Sequence, residues 1–385
     1  MKTGIIGLGA RISWVLPMLQ QAAPQIEVTA VADPGPRNNE RLSAAAPEHV
    51  YDTAAEMLAR HKFDFLIVGS PNQFHMDQLE QALESDAPRI FTEKPVVTSI
   101  DDTIRLAGLL ARHGGVERVS VGMVLRYSKL YRALRQAAAE GLLGEIMSIE
   151  AAEHIGPYHG SFFMRDWRRF SDMSGGFMLE KCCHDLDLYQ GVVGARAMRV
   201  ASFGGRKKYI PANRPKTPPA YLETMTPRWG GTDDAFSGEG DLIDYQTALI
   251  EYANGANLAF HTNLNVPDEY RRFSVIGTDG MAEGDFIRNY FRVTRSDDNA
   301  TLIDIPEVST NHGMKGHYGA DEAMSKDLMD YYSGALAELP LNVIDALEAG
   351  VTALAMDQAR LEGRIVDLGS VWEQFDDALR SGARS

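Results

Sequence analysis

Short apolar segments alternate with segments of helical periodicity over the first 125 residues of the chain. A strand buried on both faces is a short continuous apolar run, whereas a helix places apolar residues three or four positions apart. Their alternation with short connections predicts a parallel sheet covered by helices on both faces. The predicted strands are 4–7, 28–32, 65–69, 90–92 and 119–123, and the predicted helices are 14–20, 39–46, 54–59, 76–83 and 103–111.

Beyond residue 125 the pattern changes. A helix over 130–139 leads into longer segments in which apolar and polar residues alternate, as in antiparallel strands. The pairs Asn254-Gly255 and Asp279-Gly280 are typical of hairpin turns. A helix is expected over 179–190, and two or three more between 321 and 359. The predicted strands are 145–153, 244–253, 257–265, 272–277 and 290–294.

These two patterns predict an α/β protein of two domains. The first domain covers residues 1–125 and the second, an α+β domain with a large and mostly antiparallel open sheet, covers 126–385. The last helices of the chain can pack back on the first domain. Residues 206–238 hold five prolines with little periodicity. A stretch of this length is typical of a lid, a binding loop or an oligomer arm, and the alternative is a surface insertion.

Composition narrows the class of partner. The chain has 38 Lys and Arg against 53 Asp and Glu, a net charge of -15. This balance argues against nucleic acid and against an anionic membrane surface as partners. The two cysteines, Cys182 and Cys183, are neighbours, so they predict neither a disulfide framework nor a metal site, and no metal is expected. Without a signal-peptide pattern or a long apolar run, the sequence predicts a cytoplasmic protein.

The first predicted strand runs into Gly7-Leu8-Gly9-Ala10-Arg11-Ile12, directly before a helical stretch. A dinucleotide pyrophosphate requires a tight turn, a close backbone approach and the N-terminus of a helix. Gly7 and Gly9 meet the first two requirements. Ile12 replaces the third glycine of the usual fingerprint, which predicts a looser approach of the helix to its neighbouring strand. The turn therefore indicates a Rossmann dinucleotide-binding domain.

The second predicted strand ends at Asp33, where a carboxylate can accept hydrogen bonds from the adenosine ribose. A carboxylate repels a 2'-phosphate, so NAD is favoured. Arg37 lies close enough to pair with such a phosphate, which leaves NADP open. The alternative for Asp33 is a turn-forming residue before Pro34-Gly35.

The fourth predicted strand ends in Thr92-Glu93-Lys94-Pro95. The carboxyl ends of strands are where open α/β sheets bind ligands, and a lysine there can exchange a proton with a carbinol oxygen. From the local sequence alone, a surface Glu-Lys pair is the favoured alternative.

In the second domain, a helical segment after Gly175-Gly176 would bring Glu180, His184 and Asp187 onto one face. A histidine between two carboxylates is oriented and kept basic, which suits proton transfer to or from a hydroxyl. A solvated helix face with an ordinary ion cluster is the alternative.

An ordered set of motifs extends over nearly the whole chain. It comprises Gly7-Leu8-Gly9, Ser70-Pro71-Asn72 with His75, Glu93-Lys94-Pro95, Arg126-Tyr127, Gly144-Glu145, Trp167-Arg168, and Gly175-Gly176 leading to His184. In this set the chain resembles the Gfo/Idh/MocA oxidoreductase family. The resemblance implies a C-terminal open sheet that floors the active site and commonly forms the interface of a homodimer or homotetramer.

The resemblance also implies roles for particular residues. The expected catalytic residues are Lys94, His184 and Glu180. Lys94 matches the family's catalytic lysine and His184 its catalytic histidine, and Glu180 stands where the family usually has Asp. The expected cofactor-binding residues are Gly7, Gly9, Ala10, Arg11, Ile12, Asp33, Arg37, Ser70, Pro71, Asn72, His75, Glu93, Lys94 and Arg126. The expected substrate-binding residues, which supply donors and an aromatic wall for a polyol, are Lys94, Arg126, Tyr127, Trp167, Arg168, His184, Asp187 and His317. Other polar residues that can reach the same cleft are His261, Asn263, Tyr318 and Asp321, for which ordinary surface polarity is an equal alternative.

The leading functional interpretation is an NAD(P)-dependent dehydrogenase that moves a hydride between nicotinamide and a ring CH–OH of a sugar, glycoside or cyclitol. One alternative retains NAD tightly and uses transient oxidation for epimerisation, elimination or glycoside cleavage. A second is a sensing or regulatory protein on the same fold.

Overall fold

A computed structural model describes residues 1–35, 39–217, 219, 234–309 and 317–382. The chain forms two units. The first unit comprises Met1–Tyr127, Ala320–Gly350 and Val371–Ser385, and the second comprises Ser128–Gly319 and Val351–Ser370.

The first unit contains a six-stranded parallel sheet. Its strands are β1 (Lys2–Ile6), β2 (Glu27–Ala32), β3 (His49–Tyr51), β4 (Phe65–Val68), β5 (Ile90–Thr92) and β6 (Val119–Val121). Their order is β3-β2-β1-β4-β5-β6. Strand order therefore reverses between β1 and β4, which is the place where a Rossmann sheet opens a ligand crevice at the carboxyl ends of its strands.

Six helices follow strands of this sheet or lead into them. They are α1 (Ala10–Ala22), α2 (Glu40–Ala45), α3 (Ala54–Arg60), α4 (His75–Glu84), α5 (Ile100–Arg112) and α6 (Gly115–Arg118). Polar side chains cap several of them, because the first N–H groups of a helix lack partners within it. Asn39, Thr53 and Ser99 each accept a hydrogen bond from the backbone three residues later.

The side chain of Ile12 packs against Gly69, which directly follows β4. The Ile12 side chain is buried, and a Cβ atom on Gly69 would lie 2.1 Å from Ile12 Cγ1. The glycine that the usual fingerprint places on the helix is absent here, and the room for close packing comes from Gly69 instead.

The second unit contains a nine-stranded open sheet. Its strands are β7 (Ile146–His154), β8 (Ala197–Gly205), β9 (Tyr245–Tyr252), β10 (Asn257–Asn263), β11 (Tyr270–Gly277), β12 (Gly280–Asp285), β13 (Tyr290–Arg295), β14 (Thr301–Ile305) and β15 (Val366–Asp367). The order is β14-β13-β12-β11-β7-β10-β9-β8-β15. Only β7 and β10 pair in parallel among these described strands, so the sheet is mostly antiparallel, as the sequence pattern predicted.

Among the described residues of the second unit, helices join the strands of this sheet or pack against them. They are α7 (Lys129–Ala139), α8 (Pro157–Phe163), α9 (Ser171–Ser174) and α10 (Cys183–Val193), and a π-helical turn at Met178–Cys182 precedes α10. The chain ends with α11 (Ala320–Ser333), α12 (Val343–Glu362) and α13 (Gly369–Gly382). In the described ranges, every helix is too short or too polar to cross a lipid bilayer.

The packing of Ile12 against Gly69 is open to test by a double-mutant cycle. Gly69→Ala should lower the free energy of unfolding by about 2 kcal/mol, because the new methyl group overlaps Ile12. Ile12→Ala in the same chain should recover part of that loss, measured by urea denaturation. Gly108→Ala is the matched control, since its nearest neighbour lies 3.8 Å from the added carbon. A Gly69→Ala variant as stable as the parent chain would contradict this packing.

Candidate functional site

The turn after β1 requires glycine at its first position. Gly7 has a φ of +81°, and a Cβ atom there would lie 2.5 Å from the backbone of Ser70. Gly9 directly precedes α1 and offers no capping side chain, and the first turn of α1, which the structure describes in full, holds no acidic residue. The N–H groups of that turn therefore remain available to an anion, and this is the arrangement that a pyrophosphate requires. Ala10 is the first residue of α1.

Asp33 fixes the shape of the same turn. Its carboxylate is buried and accepts hydrogen bonds from Leu8 N at 2.9 Å and from Gly35 N at 2.8 Å. The carboxylate thus lies at the end of β2, beside the glycine turn. Its predicted contact with a ribose stays a prediction, and Arg37 lies outside the described residues.

His75 joins two loops at the carboxyl edge of the sheet. Its ring is fully buried, with Nε2 2.9 Å from the carbonyl oxygen of Ser70 and Nδ1 2.8 Å from that of Pro95. Pro71 and the buried Asn72 follow Ser70 and begin a short 3-10 turn. His75 therefore holds the loop after β4 against the turn that carries Lys94.

Glu93 organises the backbone of the Lys94 turn. Its buried carboxylate accepts a hydrogen bond from Arg11 Nε at 2.9 Å and from the backbone N–H of Lys94 at 3.2 Å. A Cβ atom on Gly122 would lie 2.9 Å from this carboxylate, so the glycine gives it space. The Lys94 side chain is half-buried.

Arg11 bridges two buried carboxylates of the first unit. Its Nη2 donates to Asp321 Oδ1 at 2.6 Å, and Trp14 Nε1 donates to the other oxygen of Asp321 at 3.1 Å. Burial acts to lower the pKa of Arg11, but Glu93 and Asp321 outweigh it and raise the pKa. The sequence predicted that Arg11 binds the cofactor and that Asp321 can reach the substrate cleft. In the structure the two residues form an ion pair with each other.

Arg126 and Tyr127 lie in a 3-10 turn after β6, and both are buried. Arg126 Nη1 donates to the carbonyl oxygen of Pro340 at 3.1 Å and lies 3.9 Å from Asp345. Arg126 therefore binds the segment around the start of α12 through Pro340 and Asp345.

In the second unit, Glu180, His184 and Asp187 are all buried, with 5%, 3% and 1% exposure. The solvated helix face that was the alternative is therefore wrong. The expected regular spacing is also corrected, because Glu180 lies in the π-helical turn and His184 in α10. A π turn holds an extra residue, so Glu180 is rotated away from the position that a continuous α-helix would give it.

Arg168 is one partner of Glu180. Its Nε donates to Glu180 Oε1 at 3.2 Å. Its guanidinium carbon lies 4.3 Å from the ring centre of Phe162 and 4.3 Å from that of Trp167. Arg168 thus contacts both Glu180 and Trp167, the other predicted substrate residue of this motif.

A chain of buried ion pairs adjoins His184. Lys181 Nζ lies 2.9 Å from Glu153 Oε1, and Arg271 Nε lies 2.9 Å from Glu153 Oε2. Arg271 also donates to both carboxylate oxygens of Asp185, at 2.8 and 2.6 Å. Burial raises the pKa of Asp185, while Arg271 and Lys181 overcome burial and lower the pKa of Glu153.

Glu153 and Arg271 are not among the residues predicted from the sequence. Both are buried on strands, where Glu153 shares a face of β7 with Ile149 and Ala151 and Arg271 shares a face of β11 with Phe273. A charged residue on the apolar face of a strand is buried and therefore needs an oppositely charged partner. A charged residue that alternates in step with apolar residues is thus the sequence signal for a buried ion pair.

His317 lies beside His184, with ring centres 5.8 Å apart. His317, Tyr318 and Gly319 all have left-handed backbone angles, with φ of 47°, 61° and 82°. Two consecutive non-glycine residues in this region store backbone strain, and such strain clusters at functional sites. The structure therefore brings together two of the residues predicted to bind substrate.

Comparisons with known proteins agree with this architecture. Residues 1–123 match the family model of the oxidoreductase family with an NAD-binding Rossmann fold, and residues 131–283 match the GFO/IDH/MocA C-terminal domain. An inositol 2-dehydrogenase of Ralstonia nicotianae is 25% identical over 288 residues, which cover 73% of each chain.

Two solved structures share the fold over nearly the whole chain. The scyllo-inositol dehydrogenase from Lactobacillus casei with NAD(H) and scyllo-inositol has a TM-score of 0.72 at 20% identity, covering 96% of this chain and 99% of that one. Levoglucosan dehydrogenase in complex with NADH and levoglucosan has a TM-score of 0.75 at 15% identity, with the same coverage.

The glycine turn, the parallel sheet and the open antiparallel sheet thus each have their counterpart in one family, as the motif order indicated. The chain belongs to the Gfo/Idh/MocA family of NAD-binding oxidoreductases.

Proposed function

We propose that this protein oxidises a ring CH–OH group of a neutral sugar, glycoside or cyclitol, or reduces the corresponding ketone. The observation that carries the proposal is Lys94 on a turn fixed by Glu93, in the same unit as the NAD-binding glycine turn. The inositol and levoglucosan dehydrogenases with which the chain shares its fold support this substrate class. A net charge of -15 favours a neutral substrate over a sugar acid.

In the proposed reaction, Lys94 and His184 manage the proton of the substrate hydroxyl. Bound NAD would accept the hydride from the carbinol carbon, or return it in the reverse direction. Gly7, Gly9 and Ala10 would hold its pyrophosphate, and Asp33 its ribose. Lys94 would receive the hydroxyl proton as the carbonyl forms, with His184 as the second proton carrier. General acid–base groups of this kind contribute about 100- to 10,000-fold in rate.

The remaining predicted substrate residues would orient the ring. Asp187 and His317 lie in the second unit with His184, whereas Arg126 and Tyr127 lie in the first. The strained backbone of His317 supports a role in binding the substrate, because strained residues cluster at active sites and ligand-binding segments.

The function is tested by mixing the protein and NAD with myo-inositol, scyllo-inositol, levoglucosan and common hexoses, and recording the absorbance of the reduced cofactor. We expect reduction with at least one neutral polyol. No reduction with any of them would contradict a dehydrogenase. If NAD stays bound through gel filtration and the polyol is converted without added NAD, the transient-oxidation alternative replaces the dehydrogenase proposal.

Substitutions of the two proton carriers test their roles. Lys94→Ala and His184→Asn should each lower kcat/KM by about 100-fold or more while the chain stays folded. Lys326→Ala, an exposed lysine on α11, is the control and should leave kcat/KM unchanged. Full activity in either site variant would remove that residue from the mechanism. A Lys94→Ala variant that retains full biological function would favour the regulatory alternative.

We further propose Arg11 as a positioning residue for the Lys94 turn. Arg11→Met leaves Glu93 and Asp321 buried without their cation, so the free energy of unfolding should fall by about 3 kcal/mol. We also expect kcat to fall, because Glu93 would no longer be fixed where it accepts the hydrogen bond from the backbone N–H of Lys94. Arg105→Met is the matched control, because that arginine pairs with exposed carboxylates at the surface and should change stability by less than about 1 kcal/mol. Equal effects of the two variants in urea denaturation and in kcat would contradict the proposal.

We also propose that the protein is a homo-oligomer that associates through the open sheet of its second unit. Phe203 on β8 and Leu249 on β9 are 78% and 61% exposed on adjacent strands. Large exposed apolar side chains that lie together on one face are typical of protein interfaces. The family's common use of this sheet as an interface supports the same face.

Light scattering measures the oligomeric state directly. The parent chain should have the mass of a dimer or tetramer, and Phe203→Glu with Leu249→Glu should produce monomers. Leu361→Glu, at an exposed leucine of α12, is the control and should keep the parent mass. A monomeric parent chain, or a double variant with unchanged mass, would contradict an interface at this face.

A further inference from the structure

A cavity of about 300 Å³ lies beside the amino end of β6. Its described lining residues all belong to the first unit, and they come from the segment that leads into β6 and from the chain between Tyr331 and Asp345. Ligand-binding pockets commonly measure ~300 to 1,000 Å³, so a cavity of this volume suits a small molecule.

This cavity is separate from the dinucleotide crevice. The crevice opens at the carboxyl ends of the parallel strands, whereas Val116, Glu117 and Val119 lie before β6 or at its first residue. These three residues therefore line the cavity at the opposite edge of the sheet. The described lining also includes none of the residues that the sequence predicted to bind NAD or substrate.

The charge of the cavity is negative. Glu117, Glu338 and Asp345 line it, and its described lining contains no lysine or arginine. Asp345 already has partners, because its Oδ2 accepts from Asn342 N at 2.9 Å and lies 3.9 Å from Arg126 Nη1. Glu117 and Glu338 are exposed, and within the described ranges neither side chain forms a hydrogen bond or an ion pair. Two uncompensated carboxylates therefore favour a cation in this cavity.

A buried hydroxyl pair reaches the cavity through Ser120. This residue is 6% exposed and lines the cavity, and its Oγ lies 3.2 Å from the hydroxyl oxygen of Tyr332. Burial raises the pKa of Tyr332, so both groups keep their hydrogens. The pair thus holds two hydrogens but shares one hydrogen bond, and in the described part of the chain neither hydroxyl has another partner. The remaining hydrogen lacks an acceptor, which is unfavourable inside a protein, and a ligand oxygen in the cavity would accept it.

We propose that the cavity binds a small amino alcohol, a molecule with an ammonium group and a hydroxyl group on a short alkyl chain. The ammonium group pairs with Glu117 and Glu338, and the hydroxyl oxygen accepts the hydrogen of Ser120. Val119 and Leu339 also line the cavity, and they pack against the alkyl chain.

Ligand-observed NMR titration of the parent chain tests the proposal with ethanolamine, propanolamine and aminobutanol. Phosphate buffer is required, because Tris is itself an amino alcohol. We expect at least one of the three compounds to bind. The amine of the same length without the hydroxyl should bind about fivefold more weakly, because it lacks the acceptor for Ser120. The matching diol should also bind about fivefold more weakly, because it lacks the charge that pairs with the two glutamates.

Substitution of both glutamates tests the charge. Glu117→Gln with Glu338→Gln should weaken binding of the amino alcohol by about fivefold and leave the affinity for the diol unchanged. Glu56→Gln with Glu84→Gln is the matched control, because it removes the same charge from exposed positions of α3 and α4 outside the cavity. The control should keep the parent affinity for the amino alcohol.

Substitution of the hydroxyl pair tests the acceptor. Ser120→Ala with Tyr332→Phe removes both hydroxyl groups together, so neither is left unpaired in the folded chain. This variant should bind the amino alcohol and its matched amine equally well. Tyr332→Phe alone keeps the Ser120 hydroxyl and should keep the preference for the amino alcohol. Urea denaturation of each variant checks that it is folded.

Three results would overturn the proposal. They are no binding of any amino alcohol to the parent chain, equal affinity of the parent chain for an amino alcohol and its matched amine or diol, and parent affinity in the variant that carries both Glu117→Gln and Glu338→Gln. The titrations require neither NAD nor turnover, so their outcome is independent of the proposed dehydrogenase activity.

Discussion

A charge inside a protein must be paired, and this constraint fixes the backbone beside each proposed catalytic residue. In the first unit, Arg11 pairs with the buried Glu93, which in turn accepts from the N–H of Lys94. In the second unit, Arg271 pairs with Asp185, the residue after His184. Removing one partner leaves a buried charge uncompensated, which is far more costly than losing a surface pair. Stability and site geometry therefore depend on the same contacts.

The same constraint acts on the acidic motif of the second unit. Glu180 and His184 are four positions apart in the sequence, and the π turn that holds Glu180 changes the spacing that a continuous α-helix would give them. Glu180 is buried and forms an ion pair with Arg168, so the motif depends on a cation from a neighbouring segment.

Local sequence patterns predicted five strands of each sheet, because buried strands and hairpin turns have signatures of their own. They did not predict β8 and β12, which contain two glycines each, and glycine is unfavourable in strands. They also did not predict β14, whose residues are mostly exposed, or β3 and β15, which are only three and two residues long. The glycine turn was visible from Gly7 and Gly9, but its partner Gly69 was not, because Ile12 and Gly69 meet only in the folded chain. Contacts between distant residues, such as Arg11 with Asp321, leave no local trace.

In the proposed reaction, hydride passes from the carbinol carbon of a neutral polyol to NAD while Lys94 and His184 carry the proton. The most direct measurement uses a neutral polyol deuterated at its carbinol carbons, with mass spectrometry of the cofactor after incubation with the protein. We expect deuterium in the reduced cofactor. Reduced cofactor without deuterium, or converted polyol with no reduced cofactor formed, would contradict it.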